Sequence, residues 1–192
     1  AISLPGSELF IRDVGLNSTR TGFLSVLRRL GADISVSEER LEGGEAVGSV
    51  RVRGIAFPQP RLLEISGAEI AKLIDELPLL AFLVATVGGD MDLRDAGELR
   101  VKESDRIAAT VVNLKHMGAH IEERDNGWFI KGGGELYGAE LSSFDDHRIA
   151  MSCAVAALSA NGPSKIDGAR TAVSVSLPEF WSLLESLSES PG

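Results

Sequence analysis

The chain has 192 residues, of which 44% are hydrophobic and 24% charged, a composition typical of folded globular proteins and not of disordered chains. Its 28 acidic and 19 basic side chains give a formal net charge of −9, which argues against a general nucleic-acid binder and against an anionic membrane surface as partner. With one cysteine, three histidines and no apolar stretch longer than residues 78–88, a disulfide, a cysteine-based metal site and a membrane-spanning helix are all disfavoured, so we expect a cytoplasmic protein.

Hydrophobic periodicity and turn residues predict an α/β protein in which one order of elements occurs twice. The first group has a strand at 8–14, a helix at 19–30, strands at 33–37 and 48–53, and a helix at 76–88. The second group has a strand at 90–95, a helix at 103–117, strands at 120–124 and 127–131, and a helix at 147–160. A strand at 164–167 and a helix at 178–187 follow.

Turn residues support these boundaries. The glycine pair at 43–44 and the Asp-Asn-Gly sequence at 125–127 indicate two hairpins. Gly31 and Gly118 each follow a helical pattern, as is typical of helix C-terminal caps.

The two groups also resemble each other in sequence. The offset between matching residues grows from 82, at Arg12 and Arg94, to 87, at Leu27 and Leu114. About five extra residues therefore lie in the second copy, within the charged segment 97–106. Because loops held by rigid elements often carry function, we expect part of a site there; the alternative is a solvated surface loop.

The repeat also makes a prediction about the start of the chain. Extended backwards, the 82-residue offset places Ala1 opposite Leu83, inside a helix. We therefore expect the chain to begin in the last turns of a helix and to be a piece of a longer polypeptide.

The segment 100–106, RVKESDR, is the first candidate site. A helix beginning near Glu103 would bring Arg106 onto the same face as Glu103, with Lys102 at the helix start. Two cations and a carboxylate at a helix N-terminus suit a phosphate or carboxylate ligand and permit proton transfer. The alternative is a capping box with surface ion pairs.

A second candidate opens the helix at 147. Asp146 is a plausible N-cap, and that role alone could explain it. Cations in the first turn oppose the helix dipole unless an anion is present, so Arg148 is a candidate ligand for an anion. His147 is either a proton carrier or a structural, hydrogen-bonded histidine.

A third candidate is Asp75, just before the most apolar helix of the chain. Its alternative interpretation is again an N-cap, with Pro78 in the first turn. Arg20, in the equivalent turn of the first repeat, either faces the same surface or forms a structural ion pair. Cys153 lies in an apolar helical run and is expected in the core.

Four segments together resemble the 5-enolpyruvylshikimate-3-phosphate (EPSP) synthase family. They are DELP at 75–78, LRVKESDR at 99–106, DDHRIAM at 145–151 and SLPEF at 176–180. The resemblance runs from near residue 1 to about 187. It implies two domains of three βαβαββ units each, in an inside-out, barrel-like α/β arrangement with helix N-termini directed at an interdomain cleft. Residues 1–192 would be a single domain, the C-terminal one, truncated at its N-terminal side, with one partial and about two complete units.

The resemblance implies a transferase reaction. The enolpyruvyl group of phosphoenolpyruvate would pass to the 5-hydroxyl of shikimate 3-phosphate, with release of phosphate, in aromatic amino acid biosynthesis, the reaction blocked by glyphosate. Neither a metal nor an organic cofactor is expected. The missing N-terminal half of the synthase would be a partner, and the chain would be inactive without it.

The resemblance also implies roles for six residues at positions that match the family's motifs. Arg106 and Arg148 would bind phosphoenolpyruvate, whose carboxylate and phosphate suit planar, bidentate guanidinium groups. By the same resemblance, Asp75 would bind the shikimate hydroxyl and act as its base, and Glu103 would exchange a proton with the methylene carbon. Lys102 would contact shikimate 3-phosphate and act further as an acid or electrostatic stabiliser. His147 would bind substrate.

One residue departs from the family's pattern. Val175 stands where many members carry a lysine before the Ser-Leu-Pro sequence, and Arg170 is the nearby cation. A contact to phosphoenolpyruvate, or to glyphosate, is therefore missing or replaced.

Two other interpretations stay open. One is the related transferase acting on uridine-diphosphate-N-acetylglucosamine, whose sequences lack the Lys-Glu-Ser-Asp-Arg string. The other is a noncatalytic module, since a site formed between two domains is incomplete in one of them.

Overall fold

The computed structural model describes residues 1–54 and 62–188. The strands in this part of the chain are β1 (Glu8–Gly15), β2 (Asp33–Glu42), β3 (Glu45–Arg53), β4 (Leu62–Ile65), β5 (Asp90–Leu93), β6 (His120–Arg124), β7 (Gly127–Lys131), β8 (Glu140–Ser142) and β9 (Lys165–Asp167). The α-helices are α1 (Gly22–Arg29), α2 (Leu77–Val87), α3 (Arg106–His116), α4 (His147–Ala157), α5 (Ala169–Ser174) and α6 (Phe180–Ser188). Two 3₁₀ helices cover Gly67–Lys72 and Gly97–Val101.

Sheet topology confirms the internal repeat. The middle sheet has the order β4-β5-β7-β6, with β4 parallel to β5 and the other pairs antiparallel. The first sheet, β1-β3-β2, reproduces the last three strands of that order with the same antiparallel pairing. The third sheet, β8-β9, reproduces its parallel pair.

The division into units differs from the expectation of one partial and about two complete units. The run β4-α2-β5-α3-β6-β7 is a complete βαβαββ unit. Before it stand the last four elements of a unit, β1-α1-β2-β3, and after it the first four, β8-α4-β9-α5. Strands β4 and β8, of four and three residues, were not predicted from the sequence.

Local turn chemistry explains the hairpins and helix ends. Strands β2 and β3 pair up to Glu42 and Glu45, and both glycines between them have positive φ. Helix α3 ends at His116, and the φ of 88° at Gly118 lets the N–H groups of Gly118 and Ala119 bond the carbonyls of Lys115 and Leu114. The hairpin and cap predictions are confirmed.

The core is built around α2, which is apolar on every face. Leu77, Leu80 and Phe82 are at most 1% exposed, and α2 packs on α3 and α4. Cys153, on α4, is fully buried as expected, and burial raises the pKa of its thiol to about 12. No helix in the described ranges is long and apolar enough to cross a bilayer.

The predicted start of α3 and the helix predicted at position 1 are wrong. Helix α3 begins at Arg106 instead of residue 103, because Asp105 caps it by accepting the Ala108 N–H at 3.0 Å. Ala1 does not lie in a helix: Leu4 N–H bonds the Ala1 carbonyl and Ser7 N–H the Leu4 carbonyl, which makes successive turns. The repeat therefore does not extend, as a helix, to position 1.

Candidate active site at three helix starts

The starts of α2, α3 and α4 meet on one side of the core. Asp75 lies two residues before α2, Arg106 is the first residue of α3, and Arg148 is the second residue of α4. The packing of α2 against both other helices brings these side chains together although they are far apart in sequence.

Arg106 lies at the centre of this cluster, with its side chain only 1% exposed. Its Nε donates to Asp146 Oδ2 at 2.7 Å, its Nη1 to Asp75 Oδ1 at 3.2 Å, and its Nη2 to Glu103 Oε2 at 2.6 Å. Burial lowers the pKa of Arg106, but the hydrogen bonds and charges of the three carboxylates outweigh it and raise the pKa overall. A surface ion pair in a capping box is therefore the wrong interpretation of this residue.

Asp146 is fully buried and joins the starts of α3 and α4. It caps α4 by accepting the Arg148 N–H at 2.9 Å, which confirms the N-cap prediction. Its Oδ2 also accepts from Ser104 Oγ at 3.1 Å and from Arg106. Burial raises the pKa of Asp146, but the bond and charge of Arg106 oppose it strongly enough to hold the pKa below its usual value.

Arg148 faces carboxylates of this protein. Its Nη2 lies 3.2 Å from Asp75 Oδ2, and its Nη1 donates to the Asp75 carbonyl at 3.2 Å and lies 3.6 Å from Glu76 Oε1. Asp75 and Glu76 therefore supply the negative charge that a cation in the first turn of a helix requires.

The capping role considered for Asp75 is wrong. The N-cap position of α2 is Glu76, and no side chain caps that helix. Instead the Asp75 carboxylate bridges Arg106 and Arg148. Burial is the main cause that raises the pKa of Glu76, while the charges of Arg148 and Arg20 act against it.

Two of the expected site residues are not in the network. The Lys102 ammonium pairs with Glu98, one turn earlier in the 97–106 segment. His147 is half-buried at the start of α4, and its ring makes no hydrogen bond or ion pair within the described residues.

Arg100 anchors the 97–106 segment. Its Nε donates to the Asp125 carbonyl at 2.7 Å, and its Nη groups bond Asp105 at 2.7 Å and Glu123 at 2.9 Å. It thus ties the start of α3 to the β6–β7 hairpin, a structural role for the first cation of the RVKESDR string.

The remaining cations lie outside the network. Arg20 is exposed and has no ion pair among the described residues, and its charge acts to lower the pKa of Glu76. Val175, at the end of α5, is 83% exposed, and Arg170 is exposed in the same helix without an ion pair in the described part.

Sequence reasoning missed Asp146 as a partner of Arg106, and it missed Glu76 beside Arg148. Its capping signal accounts for one contact of Asp146, whereas the contact with Arg106 spans 40 positions and leaves no local pattern. The arrangement as a whole offers two guanidinium groups for an anionic ligand and carboxylates close enough to exchange protons with it.

A family model described as EPSP synthase (3-phosphoshikimate 1-carboxyvinyltransferase) matches residues 1–184. Relatives named 3-phosphoshikimate 1-carboxyvinyltransferase from Thermosynechococcus vestitus and Roseiflexus castenholzii are 47% and 49% identical to the chain. Each alignment covers 96% of this chain but only 41% and 42% of the relative, so the chain spans about two fifths of their length.

The chain also superposes on parts of solved structures. An EPSP synthase from Acinetobacter baumannii, 35% identical, superposes with a TM-score of 0.90 over 97% of this chain and 43% of that chain. The enolpyruvyl transferase NikO from Streptomyces tendae, 19% identical, superposes with a TM-score of 0.68 over 95% of this chain and 38% of that chain. The α/β fold class expected from the sequence is confirmed.

Proposed function

The chain belongs to the EPSP synthase family, and on that premise we propose that it forms the C-terminal domain of a synthase. The complete protein would transfer the enolpyruvyl group of phosphoenolpyruvate to the 5-hydroxyl of shikimate 3-phosphate and release phosphate. The observation that carries this proposal is the pair of arginines, Arg106 and Arg148, bridged by Asp75 at 3.2 Å on each side.

Phosphoenolpyruvate carries a carboxylate and a phosphate, and two neighbouring guanidinium groups can bind both. The carboxylates of Asp75 and Glu103 accept hydrogen bonds from the outer N–H groups of Arg106. The ligand's anionic groups would take over these N–H groups, and the two displaced side chains would then lie beside the ligand.

After displacement, the carboxyl groups of Asp75 and Glu103 would lie beside the two groups that exchange protons in the reaction, the hydroxyl and the methylene carbon. The hydroxyl of shikimate 3-phosphate attacks the substituted carbon of the enol and loses its proton, which Asp75 would accept. The methylene carbon gains a proton, which Glu103 would deliver from its protonated form and take back when the phosphate leaves, while Asp75 would pass the hydroxyl proton to the departing phosphate. Atoms and charges then balance, because the hydroxyl proton leaves with the phosphate and the double bond is restored. Lys102 would turn from Glu98 to the shikimate 3-phosphate, with His147 as a further binding group.

Charge supports the requirement for a second half. The two arginines face the carboxylates of Asp75, Glu76, Glu103 and Asp146. Phosphoenolpyruvate would add further negative charge, which two guanidinium groups alone cannot balance. Lys102 and cations from another part of the synthase would supply the rest.

The cytoplasmic location stays a prediction from the sequence.

A noncatalytic isolated domain is the second candidate. It is favoured by the coverage of the relatives, of which the chain spans 41–42%. In that case the arginines would bind anions weakly, with no turnover.

Phosphate release separates the two candidates. We expect no release from phosphoenolpyruvate and shikimate 3-phosphate with the chain alone, and release when the remaining part of the polypeptide is added. Glu103→Gln and Arg148→Ala should abolish it. Arg124→Ala is the matched control, because Arg124 bonds Asp92 on the outer face of the middle sheet, away from the site. No release from a folded chain mixed or joined with its other part would overturn the synthase proposal in favour of the noncatalytic domain.

A further inference from the structure

Asp146 contacts Arg106 along one edge of the guanidinium group. Its Oδ2 accepts from Nε at 2.7 Å and its Oδ1 from Nη2 at 3.4 Å. A guanidinium has five N–H groups in a fixed plane, so this contact fixes the plane and uses the inner edge. The outer N–H groups remain, and in the free chain they reach Asp75 and Glu103.

The same carboxylate sets the start of α4. Oδ1 accepts the backbone N–H of Arg148 at 2.9 Å, and Oδ2 accepts from Ser104 at 3.1 Å, just before α3. The side chain of Asp146 therefore fixes the directions in which Arg106, on α3, and Arg148, on α4, extend toward the same region.

Capping alone does not explain why Asp146 is buried and charged, as a comparison with Asp105 shows. It caps α3, a helix of 11 residues like α4, and also pairs with an arginine, Arg100. Yet its side chain is 39% exposed, whereas that of Asp146 is fully buried. Asparagine caps helices as well as aspartate does, so capping requires neither burial nor a charge.

The backbone before Asp146 is also unusual. Phe144 and Asp145, neither of them glycine, have φ of 51° and 56°, a conformation that non-glycine residues rarely adopt. Ser142 Oγ and Ser143 Oγ accept the N–H groups of these two residues and hold the turn. Strain kept in this way next to a ligand site is typical of segments that orient functional groups.

We propose that Asp146 is a positioning residue, which holds the guanidinium of Arg106 by its inner edge so that the outer edge meets the anionic group of the ligand. The inference rests on the proposed function for the identity of that ligand. In this proposal Arg106 contacts the ligand, and Asp146 acts on the ligand only through Arg106.

Arginine Nε–H signals in NMR spectra of the chain test the positioning directly. In Asp146→Asn, which keeps the cap but removes the charge, we expect the Arg106 Nε–H to exchange with solvent roughly tenfold faster or more. Asp105→Asn is the matched control and should leave the Arg106 signal unchanged. Asp146→Ser, which also caps helices, replaces the asparagine variant if that one does not fold.

Unchanged exchange at Arg106 in the Asp146 variants would overturn the proposal. Equal acceleration in the Asp105 variant would do the same, since it would mean a general loosening of the helix starts. Both outcomes are measured on the NMR signal of Arg106 and do not require catalytic activity.

Kinetics of the complete synthase give the second readout. Asp146→Asn should raise KM for phosphoenolpyruvate roughly tenfold or more and change KM for shikimate 3-phosphate much less. Asp105→Asn should change neither. An unchanged KM for phosphoenolpyruvate would contradict the proposal. If the unsubstituted protein releases no phosphate at all, the proposed function fails, while the NMR comparison still tests how Arg106 is held.

Discussion

Arg106 shows how a charged residue is kept in a protein interior. Its side chain is 1% exposed, and carboxylates of Asp75, Glu103 and Asp146 surround it. An unpaired buried charge is very unfavourable, whereas a paired one with satisfied hydrogen bonds is tolerated. The pairing also means that loss of the arginine leaves Asp146 buried without a counter-charge.

Arg106→Ala should therefore destabilise the chain strongly. We expect the free energy of unfolding to fall by about 3–5 kcal/mol, as when one partner of a buried ion pair is removed. Urea unfolding measures it. Arg124→Ala, at a 39% exposed arginine, should cost about 0–1 kcal/mol. Similar losses in the two variants would show that Arg106 contributes no more than a surface ion pair.

The buried Asp146 carboxyl should make stability depend on pH. Burial raises its pKa, but the bonds and charge of Arg106 hold the pKa below its usual value. A carboxyl whose pKa is lower in the folded than in the unfolded chain stabilises the fold above the unfolded pKa, about 3.9. That contribution is lost as the pH falls through the folded pKa.

Chemical unfolding at several pH values from 6 to 3 tests this expectation. The free energy of unfolding should decrease toward low pH, and Asp146→Asn should reduce the slope below about pH 4. Equal slopes for the two proteins would mean that the Asp146 carboxyl does not contribute to the acid sensitivity.

At the scale of the elements, α3 holds the short strand β8 by a side chain. Asn113 is fully buried; its Oδ1 accepts the Ser142 N–H at 3.0 Å, and its Nδ2 donates to the Ser142 carbonyl at 2.9 Å. The amide thus pairs with the backbone of β8 as a neighbouring strand would. It also fixes α3 relative to the turn that leads to Asp146.

Asn113→Ala should loosen this connection. Two part-buried backbone groups of Ser142 lose their partners, so we expect a loss of about 1–3 kcal/mol in the free energy of unfolding. Val112→Ala, at the neighbouring and 38% exposed position, should change it by less than about 1 kcal/mol. Urea unfolding of both variants measures the difference, and equal losses would assign the effect to helix α3 in general.

At the scale of the whole molecule, an open apolar groove lies beneath the first sheet. It has a volume of about 490 Å³ and is lined by side chains from β1, α1, α2 and α4. Its lining includes Leu9, Ile11, Phe23, Leu79 and Phe82. An exposed apolar surface of this kind is expected to bind hydrophobic ligands without specificity.

A fluorescent anilinonaphthalene dye should therefore bind the native chain. Phe23→Gln should weaken the fluorescence at unchanged helix content, because Phe23 lines the groove. Leu41→Gln is the matched control, since Leu41 is 76% exposed on β2 outside the groove. The prediction fails if both variants lose the same signal.

The sequence alone predicted much of the architecture. The apolar run of α2, the glycine-marked hairpins and the caps at Gly31 and Gly118 depend on contacts within a few residues. The internal repeat predicted that one order of elements occurs twice, and the structure shows that the first and middle sheets share one strand order. The extra residues of the second copy lie within the segment 97–106, which contains Glu103 and Arg106 of the candidate site.

Two strands and one helix start were decided by tertiary structure. Strands β4 and β8 have four and three residues, and each exists because a parallel neighbour provides its hydrogen bonds. Likewise α3 begins at Arg106 because Asp105 caps it and Arg100 holds Asp105. These boundaries depend on partners that no local pattern names.

The sequence by itself therefore determined the fold class, the repeat and the charged helix starts, since each of these follows from interactions between residues close in the chain. Only the tertiary structure decided which charges meet. Arg106 reaches Asp75 across 31 positions and Asp146 across 40, and Arg148 reaches the Asp75 carbonyl across 73. Such contacts depend on how α2, α3 and α4 pack, and helix packing is set by the volume of the whole buried core and not by any one segment.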